Sequence, residues 1–310
     1  MTCALLTATV LPKRIPNIYH FVFGIRPQSE PFHLLHYLCL ASCLAVNKPE
    51  KVIVHLRNEP WGELWERILP KIEIVQLPES DFSTELHYAN SYTASYSYAH
   101  IADFVRLRIL LEYGGVYADM DTLFVAPLPD QLFGESCVMG RERVDAVAFP
   151  SSKGSLCNAL IMAEAGAPFV KIWQERMLEA FDGSWSNHST ILPYHLSLEN
   201  PNLIRVEPES RFFALDWTRI GLSQLFEMNC ILPSDAVSLH LWAHLWWDIE
   251  RRDMSSFSHE QLTPAYVAHA RATYARLARN HLPIDMIPPI KSYWTERRKW
   301  IKVHLIGTYT

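Results

Sequence analysis

The chain predicts an α/β fold with a parallel sheet, and three observations carry the prediction. Strand-like runs alternate with helically spaced ones from Asn17 to Leu77. A nearly all-apolar helix follows over Tyr98–Glu112. A double glycine then opens a short extended run that ends in Asp119-Met120-Asp121.

Taken in order, Asn17–Phe23 is β-branched and aromatic and stops at Gly24, which marks a strand. Pro31–Val46 places apolar residues at helical spacing. Lys51–Leu56 and Ile72–Leu77 are further strands, with a short helix over Gly62–Leu69 closed by Pro70. Gly114 stands where a helix cap needs positive φ. Val116–Ala118 and Leu123–Val125 are extended pieces on either side of the aspartates. In the second half, Leu156–Glu164, Val170–Phe181 and Thr263–Asn280 are expected as helices, and Leu203–Val206 and Ala236–His240 as strands.

Composition narrows the function. The chain has 310 residues with 49% hydrophobic and 20% charged, the balance of a globular protein. A net charge of -5 gives no cationic footprint for nucleic acid. The six cysteines show neither zinc spacing nor a disulfide framework, which points to a reducing compartment. Cys39 and Cys43, one helical turn apart, suit a core. The first dozen residues are weakly apolar and lack a basic leader, and no apolar stretch is long enough to span a bilayer. A cytoplasmic protein is expected. Lys291–Lys302 interleaves aromatic and basic residues, the pattern of a packed final helix or of peripheral contact with the inner membrane face.

Four constellations bear chemistry. Asp119 and Asp121 lie two apart on a run read as extended, so both can face one cation while Met120 turns inward. Paired carboxylates suit Mn²⁺ or Mg²⁺, which in turn hold substrate phosphates. Asp103 and Arg106 share a face of the buried helix. They are either a structural ion pair or a grip on a polar ligand such as sugar hydroxyls. His240 and His244 sit among tryptophans, and a neutral imidazole can complete a shell begun by carboxylates. His20, Phe21 and Phe23 lie near the end of the first strand, where α/β sheets bind ligands and an aromatic ring can stack on a base. Sheet packing accounts for at least one of the two phenylalanines.

Three segments together, IPNIYHFVFG, AHIADFVRLRILLEYGGVYADMDTLFVAPL and SLHLW, resemble the glycosyltransferases with a DXD sugar-binding region. This is the family 32 type, which includes α1,4-galactosyltransferases, fungal α1,6-mannosyltransferases and bacterial polysaccharide enzymes. The likeness is dense from about Ile15 to Leu128 and sparse beyond, apart from His240. It implies a GT-A fold, a Rossmann-like α/β domain with a mixed, mainly parallel central sheet and C-terminal helices. Residues 14–130 would be the nucleotide-sugar-binding half, 131–260 the acceptor-side half of the same domain, and 261–310 a helical segment.

The resemblance also implies roles. Asp119 and Asp121 match the DXD that binds Mn²⁺ (or Mg²⁺) and the donor diphosphate, and His240 resembles the late ligand that closes the metal shell. Asp103 and Arg106 match helix residues that grip donor sugar and ribose, with Asp103, Arg106 and Asp121 as the catalytic set. Phe23, with Phe21 beside it, looks like the ring that stacks on uracil. Gly115 and Tyr117 belong to the same donor-binding motif, and Asn158 resembles an acceptor-side asparagine. His244 and Trp246 depart from the family pattern after the late histidine.

The expected activity is a metal-dependent, retaining transfer from a nucleotide-sugar donor, UDP-sugar favoured, to a glycan or glycolipid acceptor. Two rivals stand beside it. Asp119-Met120-Asp121-Thr122 approaches the DxDxT of aspartyl-phosphate hydrolases but has Leu123 where their threonine belongs. Ten tryptophans would also suit a glycan-binding protein that has lost catalysis.

Overall fold

The computed structural model describes residues 14–82, 86–88, 94–248 and 253–301. The first dozen residues, Cys3 and Lys302 lie outside them. The first half follows the expected order: β1 (Ile18–Phe23), α1 (Leu34–Asn47), β2 (Lys51–Leu56), α2 (Glu63–Ile68), β3 (Glu73–Gln76), α3 (Ser97–Tyr113), β4 (Gly115–Ala118) and β5 (Thr122–Phe124). The imidazole of His33 caps α1 by accepting from the Leu35 amide at 3.1 Å, and Lys48 ends it in a left-handed turn.

The second half adds β6 (Cys137–Glu142), β7 (Ser155–Ala163), α4 (Pro168–Met177), α5 (Leu192–Glu199), β8 (Arg205–Glu207), α6 (Glu209–Phe212), α7 (Arg219–Phe226) and β9 (Ser238–His240). Helices α8 (Pro264–His269), α9 (Thr273–Ala278) and α10 (Ile290–Ile301) follow.

Seven strands form one sheet in the order β3-β2-β1-β4-β7-β6-β8. Every neighbouring pair is parallel except the two made by β7, which runs against β4 and β6. This is the α/β class expected, with a mixed, mainly parallel sheet. Its two faces bury separate clusters. Tyr19, Phe21, Val116 and Ala118 face the α1 side, while Val22 and Tyr117 face α3 and α4. A separate two-stranded ribbon pairs β5 with β9, Thr122 opposite His240.

Two expectations are corrected. Leu156–Glu164 is strand β7, not helix. Every residue of β7 is buried, because β4 and β6 flank its edges and helices cover its faces. Its apolar run therefore has no period of two to betray a strand. Thr263–Asn280 is two helices, broken where Ala270 turns extended and the Thr273 amide bonds to the Met228 carbonyl at 2.7 Å. Strand β6 was not anticipated at all.

Candidate active site

The double glycine shapes the approach to the site. Gly114 (φ 65°) ends α3 with its amide on the Leu110 carbonyl. Gly115 (φ 111°) starts β4 so close to β1 that a Cβ would lie 2.4 Å from the Ile18 carbonyl oxygen. Gly115 is therefore at the entry of β4, whereas Asp119 follows its exit. The expected donor-binding role of Gly115 is corrected to backbone packing.

Asp119 and Asp121 lie on a turn rather than on an extended run. The Thr122 amide donates to the Asp119 carbonyl at 2.9 Å, and the buried Met120 packs inward between the two acids. His36 of α1 fastens the turn from beneath, its Nδ1–H donating to the Met120 carbonyl at 3.0 Å. It is turn closure, not strand alternation, that aims both carboxylates at one point.

The ribbon supplies the third group. His240 Nε2 is 3.1 Å from Asp121 Oδ1 and 3.9 Å from Asp119 Oδ2. Ligand atoms of Asp119, Asp121 and His240 all lie within 4.8 Å of one another. Immediately after β9, Trp242 takes up φ 54°, a left-handed conformation rare for a bulky side chain. That bend turns the Ala243 amide onto Asp121 Oδ2 at 2.8 Å. His244 is not part of the cluster; its ring stacks on Trp185, centroids 4.5 Å apart.

Charges in the site perturb one another. Burial raises the Asp119 carboxyl, Arg106 opposes that, and the adjacent Asp121 adds to it. Burial would also raise Asp121, but His240 and the Ala243 amide outweigh it and hold the group below the usual carboxylate range. For His240, burial favours the neutral ring, yet the two aspartates prevail and raise its pKa. Crowded acids that hold a proton on a neighbouring imidazole are the electrostatic signature of a place for positive charge.

Behind the acids lies a buried polar network. Arg106 reaches Asp103 Oδ1 at 2.9 Å, Asp119 Oδ1 at 3.3 Å and the Asn158 carbonyl at 2.7 Å. Its guanidinium lies over the Tyr117 ring, 4.6 Å from the centroid. Tyr117 donates its hydroxyl to Asp119 Oδ1 at 2.7 Å. Asp103 further accepts from Asn158 Nδ2 at 2.7 Å and His188 Nε2 at 3.0 Å. The pair is thus a buried ion pair: Asp103 is turned inward, and Arg106 connects it to Asp119.

Other expected residues part ways. Phe21 is wholly buried in the α1-side core, so its ligand role is corrected to sheet packing. Phe23, at the strand exit, is half-buried against Phe32 and against His36, with ring centroids 5.4 and 4.8 Å away. It stands beside the residue that fastens the aspartate turn. His20 is a buried partner of His55, not a ligand. Tyr117, also buried, acts through Asp119, and Asn158 braces Asp103 and Arg106.

The residues that sequence reasoning missed are His36, His188 and Glu142. Glu142 accepts from Ser155 Oγ at 2.7 Å, and burial raises its pKa. None carries a local signal, since each is brought in by a different element.

Residues 41–139 match the family described as the glycosyltransferase sugar-binding region containing a DXD motif. Glucan organizing enzyme 1 of Cryptococcus neoformans var. grubii is 28% identical over 243 residues, 74% of this chain and 63% of that protein. Glycosyltransferase afumC of Aspergillus fumigatus is 28% identical over 147 residues, 44% of this chain and 37% of that protein. The chain thus spans less than two thirds of the length of these curated relatives. Mouse xyloside xylosyltransferase 1 aligns with a TM-score of 0.43 and 14% identity over 72% of this chain and 96% of that one. The matched region holds Asp103, Arg106, Asp119 and Asp121, and over it the chain is similar to the DXD-containing glycosyltransferases.

Proposed function

We propose that the chain moves a sugar from a nucleoside-diphosphate donor, UDP-sugar favoured, to a glycan, polysaccharide or glycolipid acceptor, with a divalent ion and with retention of configuration. The observation that carries this reading is the convergence of Asp119, Asp121 and His240 where the sheet hands over to the ribbon. Two hard carboxylates and one imidazole fit Mn²⁺ or Mg²⁺, and the mutual crowding of the acids fits a cation between them. When bound by these three residues, such an ion supplies Lewis-acid stabilisation to a departing diphosphate.

The chain's own groups prepare that site. Tyr117 occupies Asp119 Oδ1 and leaves Oδ2 toward His240. The Ala243 amide occupies Asp121 Oδ2 and leaves Oδ1 toward the same ring. Arg106 adds a fixed positive charge whose position costs no reorganisation, because Asp103, Asn158 and the Tyr117 ring already hold it. Phe23 offers a half-buried ring at the exit of β1, where a donor base would stack. Asp103 and Glu142 are both tied to buried donors. Neither is presented as a base for an acceptor hydroxyl, which supports front-face displacement with leaving-group assistance.

A thermal-shift screen of nucleotide sugars with and without Mn²⁺ tests the reading. A donor at about a hundred times its Kd is expected to stabilise the fold by about 2.7 kcal/mol, with Mn²⁺ required. Asp121→Ala should abolish both that shift and metal-dependent donor hydrolysis. Undiminished turnover in Asp121→Ala would refute the assignment.

A further inference from the structure

Helix α10 shows an outward face that the active site does not explain. Its inner side is tied to the body: Tyr293 is buried in the main core, and Glu296 accepts from Thr263 Oγ1 at 2.7 Å. Beside that inner side it carries large apolar residues in the open, of which Trp294 also edges the cavity lined by Phe226, Tyr266 and Arg297. Ile290 is 59% and Trp294 52% exposed, and Ile284 (87%) and Ile287 (45%) continue the patch back along the chain. At 3.6 residues per turn, Ile290 and Trp294 stack on one face. Lys291 and Arg298 flank that face on one side and Arg297 on the other, all exposed.

Charge identifies the occupant. The helix holds Lys291, Arg297, Arg298 and Lys299 against the single acid Glu296, in a chain whose net charge is -5. A local cationic excess around an exposed Trp-Ile row matches an anionic lipid surface, where the apolar side chains enter the headgroup boundary and the bases meet phosphates. Among the described residues no helix is long and apolar enough to cross a membrane, so contact by this face would be peripheral.

We propose that α10 and the segment from Ile284 dock the protein onto the surface of an anionic bilayer. The proposal is independent of the donor site and needs no catalytic turnover. The test is co-sedimentation of the full chain with phosphatidylcholine vesicles, with and without phosphatidylserine. Binding is expected to require phosphatidylserine and to weaken as salt rises. Removing two bases by Lys291→Gln with Arg298→Gln should weaken binding about thirtyfold. Ile290→Ser with Trp294→Ser should remove binding while leaving the thermal midpoint in place, since both side chains are exposed. Failure of the native chain to bind charged vesicles would overturn the proposal, and so would binding that survives the Ile290/Trp294 change. Self-association in solution that this double change abolishes, without vesicle binding by the native chain, would instead assign the face to a second copy of the chain.

Discussion

Tyr117 is buried, yet its hydroxyl decides which oxygen of Asp119 points at His240. A group that orients a ligand from behind tunes metal affinity more than stability. Tyr117→Phe is therefore expected to weaken Mn²⁺ binding about tenfold by titration calorimetry, with little change in Tm. Arg106 behaves differently, because it compensates Asp103 and Asp119 at once. Arg106→Met leaves two acids facing each other without their cation. It should cost about 3–5 kcal/mol of stability in a urea titration, beyond any loss of activity. A variant that unfolds at the native urea midpoint would show that the network is not a buried ion pair. At this scale the sequence was legible where one short run contained the chemistry, as in Asp119 and Asp121. It was silent on His36 and His188, because their partners lie on other elements and are far away in sequence.

Elements give these side chains their direction. The entry of β4 depends on Gly115, whose φ of 111° and contact with Ile18 leave no room for a methyl group. Gly115→Ala should destabilise by about 1–3 kcal/mol or more, readable as a lowered Tm. Strands β1 and β2 are joined by a buried histidine pair. His20 donates Nε2–H to the Gly114 carbonyl at 2.9 Å, and its Nδ1 accepts from His55 Nε2 at 3.0 Å. Burial pushes His20 down to about 4 and His55 down to about 3, so both are neutral in the fold. At these two rings the unfolded chain takes up protons below about pH 6.5, and the folded chain does not until near pH 4. The stability that depends on this pair should therefore be full above pH 6.5 and fall as pH drops toward 4. Urea midpoints across that range check the sign, and His55→Asn should flatten the slope. Helix α3 and strands β1 to β5 were legible because apolar periodicity and glycine punctuation are local. Strand β7 was not, because a segment buried on all sides loses the alternation that marks a half-buried strand.

At the scale of the whole molecule, the broader of the two cores lies on the α1 side of the sheet. Tyr266, Val267, Tyr274, Ala275 and Ala278, from α8 and α9, are buried in the same cluster as Tyr19 and Phe21 of β1. The Tyr266 hydroxyl also donates to the Phe226 carbonyl at 2.7 Å. A helical segment taken as starting near residue 261 is thus part of the body in packing terms. A chain truncated after Leu262 is expected to lose its cooperative thermal transition. A native-like transition in that truncated chain would mean the helices are dispensable. Glycosyl transfer proposed for the intact chain would fail with it, through loss of fold rather than loss of ligands.

By itself, the sequence determined the α/β class, the buried helix, the carboxylate couple and the family resemblance. Each of these is written in contiguous residues whose period, glycines and charges act over a few ångströms. Only the tertiary structure decided that His240 joins the aspartates while His244 stacks on Trp185, that Asp103 turns inward, and that Phe21 packs while Phe23 stays half-open. Those outcomes depend on the register of β5 against β9 and on which face of the sheet each helix covers. Such pairings are won by the burial of distant surfaces together, and no local stretch of chain contains that free energy.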